Sequence, residues 1–320
     1  MVDLVAFGII IDDLVFPDGH TAMGVLGGGG PQAAFGMRLP ALAGWSDRAT
    51  SVGLVAGVGR DLPDSASAWL ESAGIDHTGV RLTDLPTPRA WQVLEADGRR
   101  TQIWRVKERV GGAQLGRTLD HIPTRYHTAL GFHLGIHPQE PDLDFIHQLR
   151  ALAPSNRPMS DLRPPTISLE LFKPADRPLS DAALHRLCSA ADIFSPNLIE
   201  ARTLVGNGSP DELARRLTDA GARIIALRMG ADGSLVYDGI RLHRVPSVRA
   251  TVVDTTGAGN AYCGGFLAGY IQTGDVLTAA HYGTVAASFL VEQVGLPPID
   301  DRLRRSANQR LRSLGGRDDS

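Results

Sequence analysis

Val253-Asp254-Thr255-Thr256-Gly257-Ala258-Gly259-Asn260-Ala261-Tyr262-Cys263-Gly264-Gly265-Phe266 is the stretch on which the reading of this chain turns. Gly-Ala-Gly, placed after a strand and before a small, apolar helical run, presents consecutive N–H groups at the positive end of a helix dipole. A phosphate oxyanion suits such a place. Glycines alone are weak evidence, and a tight strand-to-helix turn without a ligand is the plainer alternative.

Outward from this stretch, strands alternate with helices. Val2–Ile11 is a nearly continuous apolar run, the pattern of a strand covered on both faces, with Asp12 and Asp13 at its end. Strand carboxyl ends line the ligand crevice of open α/β sheets; an ordinary turn is the alternative for the acidic pair. Gly27–Gly30 precede a helix predicted over Gln32–Leu39 and stopped near Pro40. Further strands are expected at 51–58, 129–134, 166–171, 192–194 and 223–227, with helices at 65–73, 142–153, 181–190 and 210–220. Such alternation predicts right-handed crossovers and a parallel sheet. The segments 87–95 and 99–106 alternate around Asp97-Gly98, and 234–237 and 241–245 flank Asp238-Gly239, both hairpin signals. Two or three helices follow Asn260, and the tail is expected to be disordered over about 315–320.

Composition narrows the partners. The 320 residues, 43% hydrophobic and 21% charged, can bury a sizeable core. A net charge of −3 from 32 basic and 35 acidic side chains offers no field for gathering nucleic acid or an anionic membrane, which leaves a small molecule. Cys188 and Cys263 make no disulfide framework, and the opening residues lack a basic region and are broken by Asp12 and Asp13. With no run of ~20 apolar residues, the expectation is a cytoplasmic protein. There is no P-loop, since no lysine follows a glycine, and no zincin pair, since Pro138 follows His137 and no Glu lies between His133 and His137. These histidines read as loop or core residues.

The signature resembles that of the PfkB, or ribokinase-like, family of carbohydrate and nucleoside kinases, whose form is Asp-Thr-x-Gly-Ala-Gly-Asp. Other segments match in order: Gly8–Asp13, Gly27–Ala34, Gly57–Asp61, Ser195-Pro196-Asn197-Leu198-Ile199-Glu200 and Leu227–Gly233, so that the likeness spans about residues 2–297. The quadruple glycine, the Asp-Asp pair and the Gly-Asn variant most resemble the maintenance-of-killer-like branch. The resemblance implies one three-layer ribokinase-like α/β domain over residues 1–320, with a mostly parallel central sheet. A small β lid over about 13–25 and 89–106 would exclude water. It implies ATP as donor, Mg2+ near Glu200, and K+ as a monovalent cation near Asp254. It places the acceptor against Asp13, Gly28, Gly29, Gln32, Arg89 and Glu170, the nucleotide against Asn197, Arg228, Gly230 and Gly233, and the transferring phosphate at Gly257, Ala258 and Gly259. Relatives often dimerise through the lid, and an exposed lid edge would need such cover; oligomeric state stays open.

The departures sharpen the question. Asn260 stands where the family's aspartate takes the acceptor proton, and an amide has no useful basicity, a loss of about 10²–10⁴ in rate. Phosphoryl transfer runs mostly on positioning and charge, so transfer without that base remains open. Asn260 could orient the hydroxyl, or merely cap a helix; Asp254 or Asp13 could take the proton if close enough. Gln32 replaces a sugar-binding asparagine, and Arg228 stands where lysine or threonine is usual, to contact phosphate or pair with a surface carboxylate. Asn197 and Glu200 fit a capping box as well as a magnesium site. Trp91 and Trp104 either pack the lid or stack on substrate. A kinase for a primary hydroxyl is the leading reading, beside a binding protein with lost transfer and an enzyme acting on a phosphorylated sugar.

Overall fold

The computed structural model describes residues 2–45, 50–96, 100–152 and 164–315. The run Val2–Ile11 is not one strand. It breaks at Gly8, whose φ of 87° is accessible to glycine, into β1 (Leu4–Phe7) and β2 (Ile10–Val15). β3 (Thr21–Gly27) pairs antiparallel with β2 and delivers the chain to α1 (Gly29–Ala43). Pro40 does not stop this helix, contrary to expectation. One turn from the end it forfeits a single N–H bond, and Gly44, at φ 72°, closes the helix through N–H bonds of Gly44 and Trp45 to Ala41 and Pro40.

β4 (Val52–Val58), α2 (Asp64–Ser72) and β5 (Asp76–Leu82) follow. The hairpin expected next is present as β6 (Arg89–Leu94) and β7 (Arg100–Trp104); its Asp97-Gly98 turn lies outside the described residues. Then come α3 (Glu108–Leu115), β8 (Gly131–Ile136), α4 (Leu143–Arg150), β9 (Thr166–Leu171), α5 (Asp181–Ser189) and β10 (Ile193–Phe194). α6 (Leu198–Val205), α7 (Pro210–Asp219), β11 (Ile224–Arg228), β12 (Ser234–Tyr237) and β13 (Leu242–Val245) complete the sheets. The chain closes with α8 (Ala258–Thr273), α9 (Val276–Leu290) and α10 (Asp301–Gly315). The tail expectation beyond Gly315 lies outside the described residues.

Nine strands form one sheet in the order β13-β12-β11-β10-β9-β8-β1-β4-β5, parallel except at β12 and β13. Alternation along β1 serves both faces: Leu4 and Ala6 pack with α1, α8, α9 and α10, and Val5 and Phe7 with α4 to α7. The result is three layers, helix, sheet, helix. The second sheet, β3-β2-β6-β7, stands apart as a small lid with β2 and β6 parallel inside it. Its outer strand β7 is exposed throughout.

α1 and α8 lie unusually close. A Cβ on Gly36 would collide with the Ala261 carbonyl, and one on Gly264 with that of Ala33. Bare glycine backbone at these crossings lets the two helices bring their N-termini side by side.

Candidate active site

Both helix N-termini are entered through glycine. Gly28 precedes α1 at φ 83°, and a Cβ there would stand 2.7 Å from the Ile10 backbone nitrogen. Gly257 precedes α8 at φ 81°, where a Cβ would run into the Gln32 amide. The ideal Cβ position of Gly29 is 3.8 Å from Asn260 Oδ1, so the two helix starts share one space. First-turn N–H groups have no partner within their own helix, and the Thr256 hydroxyl beside them is buried without a partner. Gly30 N donates to the Gly8 carbonyl at 3.1 Å and Ala258 N to that of Thr255 at 3.3 Å; the other first-turn donors form a concavity that fits an anion with several oxygens.

A charged cluster lies beneath α8. Arg228 Nη1 is 3.1 Å from Glu170 Oε2, and Nη2 is 3.3 Å from Glu200 Oε2 and donates to the Ser195 carbonyl at 2.8 Å. The guanidinium presses on Gly259 so closely that no Cβ could stand there. Its carboxylate partners are therefore buried ones, not surface ones. Burial pulls the Arg228 pKa down, but Cys263, Glu170 and Glu200 outweigh it and hold the group charged. For Glu170, burial pushes the carboxyl up, and Arg228 and His133 more than reverse it, leaving it below the ordinary range. Glu200 stays above the ordinary range because burial prevails. Asn197 and Glu200 form a full capping box at the start of α6: Asn197 N and Nδ2 donate to Glu200 at 2.8 Å, and Glu200 N donates to Asn197 Oδ1 at 2.9 Å.

Glu170 also meets His133 Nε2 at 3.3 Å and accepts from Cys263 Sγ at 3.6 Å. These three side chains bring ligand-type atoms within 4.8 Å of one another. Arg228, bonded to the same carboxylate, already supplies the positive charge a cation would. Against this group stands Asn260. With its amide nitrogen turned to Glu170, as an acceptor-only carboxylate requires, Asn260 donates to both Glu170 oxygens, and its carbonyl oxygen accepts from Gln32, 2.5 Å away, once the Gln32 amide is turned in the same sense to present its NH2.

The lid contributes two adjacent carboxylates with opposite surroundings. Asp13, expected to hold the acceptor, is 0% exposed. Arg89 grips it bidentately at 2.7 Å from both Nε and Nη2, Arg105 adds a further ion pair, and Gly24 N donates at 2.9 Å. Burial opposes ionisation there, but the two arginines and Gly24 overcome it and take the pKa down to about 2. Asp12 is the member of the pair packed over Gly27 and hydrogen-bonded by Gly28. Burial drives its pKa up to about 6, against the Gln92 amide, which donates at 2.8 Å. Arg105 also covers the Trp91 ring at 4.8 Å, while Trp104 stays largely exposed.

The remaining expected residues are more peripheral. Gly230 opens an exposed turn at φ 63°, and Gly233 packs against the backbone leaving β13. Asp254 is buried and accepts from Thr256 N at 2.9 Å. Sequence reasoning flagged the Asp12–Asp13 pair but assigned the acceptor to Asp13, and it did not single out Arg105 or Cys263. For Asp12 the signal existed in the Asp-Asp pair, but only strand register says which carboxylate faces the glycine turn.

Residues 3–300 match the pfkB family carbohydrate kinase profile. A cytidine kinase from Thermococcus kodakarensis is 33% identical over 276 residues, 84% of this chain and 89% of that one. Arabidopsis thaliana ribokinase, solved with ribose and ATP, superposes with a TM-score of 0.70 at 19% identity, covering 97% of this chain and 99% of that one. A ribokinase-type chain from E. coli, solved with ATP and Mg2+, gives 0.70 at 18%, covering 97% and 100%. No described helix is long and apolar enough to cross a membrane. With glycine-opened helix ends facing one space under a small β lid, and a profile match spanning almost the whole sequence, the chain belongs to the pfkB family of carbohydrate kinases.

Proposed function

We propose that the protein transfers the γ-phosphoryl group of ATP to a primary hydroxyl of a sugar or nucleoside. The observation that carries this reading is the convergence of the α1 and α8 N-termini at Gly28–Gly29 and Gly257–Gly259. The acceptor oxygen attacks phosphorus, the bond to the bridging oxygen of ADP breaks, and the hydroxyl proton leaves late, onto a phosphate oxygen of the product. Late proton loss suits a loose transition state, in which charge stabilisation outweighs base strength. The N–H groups of Gly257, Ala258 and Gly259, backed by Arg228, stabilise the equatorial oxygens. Gln32, Gly28, Gly29 and Asp12 hold the acceptor, Asn260 orients its hydroxyl, and the Asp13–Arg89 pair stiffens the lid above it.

The cluster of two carboxylates and one guanidinium retains negative charge, which fits a divalent cation nearby. Glu200, with both oxygens engaged, suits contact through water. Magnesium, when bound, neutralises charge on the phosphates. Asp254 is the candidate for a K+ site. Asn197, Gly230 and Gly233 border the nucleotide.

ATP consumption over a panel of sugars and nucleosides, cytidine and ribose included, tests the proposal. A monophosphate product with turnover dependent on Mg2+ is expected. Nucleotide protection against unfolding with no turnover on any acceptor would replace it with a binding role; a ligand at 100 times its dissociation constant adds about 2.7 kcal/mol.

A further inference from the structure

Position 260 is read above as a lost base, yet its surroundings say more. The Glu170 carboxylate, itself buried, faces Asn260 directly and is held in place by Arg228, His133 and Cys263. A carboxylate only accepts hydrogen bonds. It therefore fixes which end of the Asn260 amide points where: the nitrogen inward to Glu170, and the carbonyl oxygen outward to the space shared by the two helix starts and to Gln32, whose own amide must turn its NH2 toward it. A side chain at 260 free to rotate would present donor and acceptor alternately to a bound hydroxyl.

We propose that Glu170 is the positioning residue for Asn260, the carboxylate at 170 setting the direction of the amide at 260. The catalytic half of this inference rests on the kinase reading; the pairing itself does not. Its consequence is that aspartate at 260 is incompatible with the native Glu170. Asn260→Asp would press two carboxylates together in a buried site. Arg228 already serves Glu170 and Glu200, and the other titratable groups facing the pair are His133 and Cys263. Two carboxylates in contact cannot both ionise readily, so they titrate as a pair, and one holds its proton to higher pH. The aspartate would then be a poor base near neutrality. Adding Glu170→Gln restores a donor opposite the aspartate and returns the charge count to its native value.

Wild type, Asn260→Asp, Glu170→Gln and the double variant, with Asn260→Ala as a charge-free control, provide the test. Thermal midpoints between pH 6 and 9 read the pairing without any substrate. Asn260→Asp should lose more stability at pH 9 than at pH 6, Asn260→Ala should show no such slope, and the double variant should recover most of the loss. In turnover, Asn260→Asp should not exceed wild type at pH 7. The double variant should exceed Asn260→Asp by about 10²-fold in kcat with KM little changed, and its kcat should acquire an acid limb absent from wild type. Additive midpoint losses, a double variant that fails to fold, or a single Asn260→Asp that gains as much as the double variant would overturn the pairing. If no variant turns over any acceptor, the kinase reading fails while the midpoint cycle still decides the pairing.

Discussion

Asp12 and Asp13 differ by one step along a strand and by about four units in proton affinity, about 6 against about 2. For Asp12, whose folded pKa is raised, the contribution to stability is fully present below pH 3.8 and is lost as pH rises through about 6. Asp12→Asn should therefore raise the unfolding free energy by up to ~3 kcal/mol above pH 7, with no gain at pH 3.5. The same variant should raise KM for the acceptor. A pH series of denaturant melts checks the first outcome, and a gain independent of pH would sink it. At this scale the sequence was only half legible. The glycine pattern and Asn260 could be read directly. Which carboxylate lies over Gly27, and that Glu170 opposes Asn260, depend on register between strands and helices far apart in the chain, which residue spacing does not encode.

Among elements, the α1–α8 contact shows how backbone chemistry places the site. Gly36 and Gly264 stand where any side chain would meet a carbonyl of the opposite helix. Gly36→Ala should destabilise the fold by about 1–3 kcal/mol or more through overpacking. Gly112→Ala, in α3 with open space around it, should instead stabilise by about 0.5–1 kcal/mol. Urea melts of both variants separate packing from propensity, and equal losses would refute the distinction. Legibility at this scale followed burial. β9 was predicted residue for residue because it is buried along nearly its whole length. β5 was missed because it is an edge strand whose polar outer positions interrupt the apolar pattern. The single strand predicted over Val2–Ile11 failed because two buried strands from different sheets adjoin through Gly8, and hydrophobicity carries no mark of the break.

For the whole molecule, the lid is fastened to itself by charge. Asp13 on β2 binds Arg89 on β6 and Arg105 just after β7, joining three segments at one buried carboxylate. Its folded pKa is lowered, so the contribution to stability is present above pH 3.8 and is lost as pH falls through about 2. Asp13→Asn should loosen the lid at neutral pH and raise KM for the acceptor severalfold more than it lowers kcat; a loss confined to kcat would assign Asp13 to the chemistry instead.

Gly8 ties these scales together. Its carbonyl accepts from Gly30 N at 3.1 Å at the start of α1, and the backbone of Ile10, two residues on, closes against Gly28. The strand leading out to the lid and the glycine-opened end of α1 are thus pinned at one knuckle. One left-handed residue, at φ 87°, thus serves as the common anchor of a lid strand and a helix start.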